Sequence, residues 1–100
     1  PAGRDALVAL LGAPGGAGHV EAIEALAQLA GPDAGHAIAA QLTSDRPEVR
    51  AAAARALGRI RHEEAAARLE ALRSDYAARV RRAAIEALSK LPGGPPRPRR

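Results

Sequence analysis

A fourteen-residue stretch written twice constrains this chain more than any other feature. Residues 47–60 read PEVRAAAARALGRI, and residues 78–91 read ARVRRAAIEALSKL. Val49 and Val80, Arg50 and Arg81, Ala53 and Ala84, Leu57 and Leu88, and Ile60 and Leu91 all stand 31 residues apart. Their apolar members recur at steps of three and four, which places them on one helical face. A helical face repeated at a fixed period marks a repeat array, in which each unit buries its apolar side against the next.

The same offset finds a third, weaker copy over residues 17–30. Ala22, Ala25, Leu26 and Leu29 match Ala53, Ala56, Leu57 and Ile60, while the Val49 and Arg50 positions fall on Gly18 and His19. This reads as a terminal repeat that has drifted. Partner helices lie between the copies. One covers residues 33–43 with Ile38, Ala39 and Leu42 inward, and one covers 63–73 with Ala65, Leu69 and Leu72 inward. Here the offset is 30, from Leu42 to Leu72 and from Asp45 to Asp75, so the extra residue is expected in the turn before the last helix. Asp45 with Glu48 fits a capping box, which predicts where the central helix starts.

Residues 4–11 form a further short helix, with Leu7, Leu10 and Leu11 on one face and a stop at Gly12. The expectation is therefore all-α, about six helices near 4–11, 17–30, 33–43, 46–61, 63–73 and 76–91, in one domain over residues 1–91. Tight turns are expected at Gly31-Pro32 and Arg61-His62. Residues 92–100 are rich in proline, which predicts an extended basic tail. The loop GAPGGAG at residues 12–18 only superficially resembles a phosphate cradle. It lacks the Lys-Ser/Thr pair of a P-loop and the preceding strand of a dinucleotide fold, so it reads as a linker.

Composition narrows how such an array can pack. Tyr76 is the one aromatic residue, and Phe, Trp and Met are absent. A core without large side chains must be thin, between helices that approach closely. Alanine, the best helix former, supplies it. The absence of cysteine excludes disulfides and thiolate metal sites. No apolar run approaches the length of a membrane span and no secretory signal is visible, so a cytoplasmic location is expected. The chain starts at Pro1 without Met, which leaves processing or excision from a longer protein open. Charge is polarised: residues 1–44 hold one basic group against four acidic, and residues 45–100 hold fourteen against seven.

The pattern D-x-P-E-V-R-x-x-A-A-x-A-L-G-x-I over residues 45–60, echoed at 75–91 as D-x-x-x-R-V-R-x-A-A-x-x-A-L, resembles the HEAT-like repeat of the short bacterial, or phycobilisome-lyase, type. The resemblance covers residues 17–91. It implies a right-handed α-solenoid of antiparallel helix pairs, usually a protein-binding scaffold. It also implies a structural ladder of Arg50 and Arg81 with Asp45 and Asp75, which suits the rigid donor fork of arginine.

Catalytic chemistry finds little support. No serine stands beside a histidine with an orienting carboxylate, and no cofactor is expected. His62-Glu63 resembles the iron-binding His-Glu pairs of deoxyhypusine hydroxylases, which are HEAT-like. Those pairs follow the Val-Arg of the main helix, where this chain has Ala51-Ala52 and Arg82-Ala83. Ala66 also occupies the place of the second histidine of a zinc-protease motif, so His62 reads as a cation at a helix end and no metal is expected. His19 and His36 read as surface or seam residues.

A binding surface remains. Its expected contacts are Gln41, Arg68 and Arg73 on the concave side of the partner helices. Arg55, Arg59 and Arg82, with Arg61, Arg79, Lys90 and the tail residues Arg97, Arg99 and Arg100, offer an alternative site for nucleic acid or another anionic surface. Aromatic stacking platforms are missing, which weighs against single strands. An accessory subunit of a chromophore lyase is a further alternative, implied by resemblance alone. The array opens on a partner helix and closes on a main helix, so each end exposes a seam through which copies could associate.

Overall fold

The chain is built from helices that each bury a narrow stripe of small side chains. The computed structural model describes residues 2–13, 17–29 and 32–91. The helices are α1 (Ala2–Leu11), α2 (His19–Leu29), α3 (Pro32–Ala39), α4 (Pro47–Arg59), α5 (Ala66–Ala71) and α6 (Ala78–Lys90). Tighter 3-10 turns extend α3 through Ala40–Thr43 and flank α5 at Glu63–Ala65 and Leu72–Ser74. Among the described residues there is no strand. The main helices α2, α4 and α6 pack in succession, with α4 between its neighbours, while α1, α3 and α5 form a second layer. The body measures 48 × 27 × 16 Å, the proportions of a short solenoid.

Alanine dominates the buried set, but Ile23, Leu26, Ile38, Val49, Leu57, Leu69 and Val80 are the largest side chains fully removed from water. Burying such a side chain is worth roughly 1.5–3 kcal/mol, against under about 1 kcal/mol for a methyl, so these seven carry most of the hydrophobic drive. Alanine instead sets the spacing. Gly58 of α4 meets α6 so closely that an added Cβ would lie 2.7 Å from Ala87 Cα.

Local chemistry trims the helices relative to the periodicity. Gly18 takes φ 75°, which delays α2 to His19. At the end of α4, Arg61 adopts φ 56°, its N–H donates to Gly58 O at 3.2 Å, and the His62 N–H donates to Leu57 O at 3.0 Å. Those two bonds form a Schellman cap, so the helix ends at Arg59 rather than at 61. Leu10 and Leu29, expected to face inward, are exposed. In the first repeat Ile23 and Ala27 are buried instead. Gly31 and the tail, including Arg97, Arg99 and Arg100, lie outside the described residues.

Candidate functional site

The two turns that launch α4 and α6 have the same backbone geometry. Ser44 and Asp75 share φ −60° and ψ 146°, and their amides donate to Gln41 O and Leu72 O, both at 3.1 Å. Ser44 Oγ accepts from the Arg46 N–H at 3.2 Å, and Asp75 Oδ1 accepts from the Ala77 N–H at 2.9 Å. The register through these turns is therefore 31 residues, and the expected offset of 30 with an extra residue before α6 is corrected. Asp45 corresponds to Tyr76, not to Asp75. The capping box is corrected as well: Arg46 is the N-cap, without a side-chain cap bond, and Pro47 opens the helix.

Arg50 forms one rung between repeats. Its Nε and Nη2 donate to Asp75 Oδ2 and Oδ1 at 2.9 and 3.0 Å, and its Nη1 donates to Ser44 O at 2.8 Å. The side chains of Arg50 and Asp75 are only 8% and 9% exposed, and Tyr76 lies with its ring centre 5.1 Å from the guanidinium carbon. The carboxylate holds the Arg50 pKa up, and the guanidinium holds the Asp75 carboxyl below its ordinary value. Asp45, expected in the ladder, is exposed and stands one residue beyond the turn position that faces the preceding repeat. The arginine that would meet that turn is replaced by His19, which is buried with Nε2 unpartnered among the described residues.

Arg81 repeats half of this arrangement. Its Nη1 donates to Asp75 O at 2.8 Å and Tyr76 O at 3.1 Å, as Arg50 does to Ser44 O. Among the described residues no carboxylate bonds its guanidinium. Comparing α4 with α6 at the 31-residue register isolates what surrounds it. Ala51, Ala54 and Gly58 are buried, whereas their counterparts Arg82, Ile85 and Ser89 are exposed, Ile85 by 52%. The outer face of α6 thus combines a half-satisfied arginine, a second arginine and an aliphatic side chain.

The other expected contacts fall elsewhere. Gln41 Nε2 donates to Leu11 O at 3.3 Å and Arg68 Nη1 donates to Ala39 O at 3.4 Å, so both tie the second layer together. Arg73 pairs with Glu70 at 3.2 Å in an exposed contact. Arg55 and Arg59 are exposed on α4, one turn apart. Along the main helices, however, the position of Arg55 is Glu24 on α2 and Glu86 on α6, so that row alternates in sign. Glu86 in turn pairs with Lys90 at 3.4 Å.

The surroundings of His62 disfavour the cation expected at the end of α4. Its ring packs over the backbone of Gly35, where an added Cβ would clash with it, and burial pushes its pKa down. The carboxylate it approaches is Glu64, not the Glu63 singled out by sequence. Glu64 Oε1 accepts from His36 Nε2 at 2.8 Å and lies 3.9 Å from His62 Nε2. The His36 bond holds the Glu64 carboxyl below its ordinary value. These residues are 28 positions apart and follow no repeat period, so only packing brings them together.

Register, stacked helix pairs and inter-repeat rung together define an α-solenoid. The family of HEAT repeats matches residues 4–93, and the chain belongs to that family. Comparison with the curated proteins gives no significant match, and comparison with the solved structures gives none either. No helix among the described residues is long and apolar enough to cross a membrane.

Proposed function

We propose that this chain is a non-enzymatic protein-interaction scaffold that takes its partner on the outer face of α6. The observation that carries this reading is Arg81. It is anchored by its own turn as Arg50 is, yet among the described residues no carboxylate grips it as Asp75 grips Arg50, and it stands beside the exposed Ile85. A helical protein that presents a carboxylate flanked by small apolar side chains complements that face in charge and shape. A second copy fits less well. The turn before α2 carries Ala13 at the position of Asp75, so stacking copies in register would leave Arg81 without its acid.

The proposed partner face is α6 rather than Gln41, Arg68 and Arg73, and what supports the choice is that Gln41 and Arg68 donate to backbone carbonyls within the body. Nucleic acid binding through Arg55, Arg59 and Arg82 is the weaker reading, since the row through Arg55 alternates in sign. An adaptor working in the cytoplasm fits the proposal, and no single observation favours the accessory subunit of a chromophore lyase. The test is to capture binding proteins with wild type, then titrate each purified candidate against wild type, Arg81→Ala and Ile85→Asp. The expected result is a helical protein whose affinity falls at least tenfold for both variants. Affinities that ignore both substitutions overturn the proposal.

A further inference from the structure

We propose that His36, His62 and Glu64 form a Zn²⁺ site that fastens α3 to the connection between α4 and α5. One ligand atom from each residue lies within 4.8 Å of the other two. Both Nε2 atoms converge on the same oxygen, Glu64 Oε1, at 2.8 Å from His36 and 3.9 Å from His62. Two neutral imidazoles and one carboxylate are a donor set that Zn²⁺ accepts, with water completing the tetrahedron.

The ring geometry supports the assignment independently of those separations. With zinc–nitrogen bonds of about 2.0–2.1 Å, two imidazoles on one tetrahedral ion have ring centres about 5 Å apart. The rings of His36 and His62 are 5.3 Å apart and nearly perpendicular, at 81°. His62 Nε2 is buried without a hydrogen-bond partner among the described residues. Its Nδ1 edge is held against Gly35, so the ring presents Nε2 from a fixed direction. Buried polar atoms without partners are uncommon in folded proteins, and a metal ion is one way to satisfy such an atom.

Adjacent ligand atoms of a tetrahedral zinc lie about 3.3 Å apart. Binding therefore requires Glu64 to move about half an ångström from His36 and toward His62. It also requires the exposed His36 ring to swing toward His62, so that the ligand atoms, now within 4.8 Å, close to that separation. Both movements are open, because the side chains of His36 and Glu64 are 58% and 72% exposed. The proton that His36 Nε2 now donates to Glu64 moves to Nδ1 of the same ring, and the freed lone pair binds the ion. The Nε2–H bond breaks as an Nδ1–H bond forms, with water relaying the proton, so the step balances and no oxidant is needed.

The site can be tested on the full chain by titrating ZnCl₂ against a chromophoric chelator and by recording the visible spectrum of the Co²⁺ form. The expected result is one ion per chain with a micromolar dissociation constant, and a four-coordinate Co²⁺ spectrum. His36→Gln and Glu64→Gln change exposed side chains and should keep the helical circular dichroism of wild type while weakening binding at least tenfold. Glu48→Gln, on the surface of α4, should bind as wild type does. Failure of wild type to bind one ion saturably overturns the proposal, as does wild-type affinity in folded His36→Gln or Glu64→Gln.

Discussion

Arg50 and Asp75 illustrate how much one residue pair can matter in a body with little large-side-chain core. Each is almost fully removed from water, so losing one leaves the other charged and without its partner. Breaking a buried pair in this way costs about 3–5 kcal/mol, a large part of the stability of a domain this size. Asp75→Asn is expected to lower the urea midpoint sharply with little change in slope, whereas Asp45→Asn is expected to stay within about 0.5 kcal/mol of wild type. The pair also sets an acid limb. The Asp75 pKa is lower folded than unfolded, so its stabilisation is fully present above the ordinary aspartate range and is lost as pH falls through the folded value. Urea midpoints measured from neutral pH downward should show this loss in wild type and a flatter limb in Asp75→Asn.

At the scale of the helix, Gly58 and Arg61 make opposite predictions within one turn of each other. Alanine at Gly58 would gain about 1 kcal/mol of helix propensity, but its methyl would lie 2.7 Å from Ala87 Cα and force α4 and α6 apart. Overpacking of this kind costs about 1–3 kcal/mol and here acts on backbone, so Gly58→Ala is expected to lower Tm. Arg61 is in the left-handed region at the Schellman cap. Arg61→Gly relieves that conformation and is expected to stabilise by about 0.5–1 kcal/mol, measured by thermal unfolding. The helical class and the repeat were legible because Val49, Leu57 and their counterparts keep one period. The partner of Arg50 was legible only in part, since Asp45 and Asp75 look alike in sequence. Cap dihedrals at Ser44 and Asp75 separate them. The meeting of His36, His62 and Glu64 left no periodic trace, because it depends on a ring lying across a glycine.

At the scale of the whole molecule, nearest-neighbour packing makes stability uneven along the array. The central helix α4 packs against both α2 and α6, while α1 has partners on one side only among the described residues. Hydrogen exchange should therefore be slowest in α4 and in the part of α6 that faces it, and fastest in α1. Charge polarity between the two ends does not by itself make a polymer. With Ala13 where an acid would be needed to complete Arg81, light scattering is expected to give the mass of one chain at low and at high salt.

The contact of Gly58 with Ala87 has a mechanical meaning. Where two helices touch through backbone and methyl groups, their separation cannot be adjusted by swapping one rotamer for another, as it can across a seam of leucines or methionines. The distance from α4 to α6 is therefore a property of the chain's own covalent frame. A protein that bound across α4 and α6 would meet that fixed spacing, and recognition would rest on it as much as on chemistry.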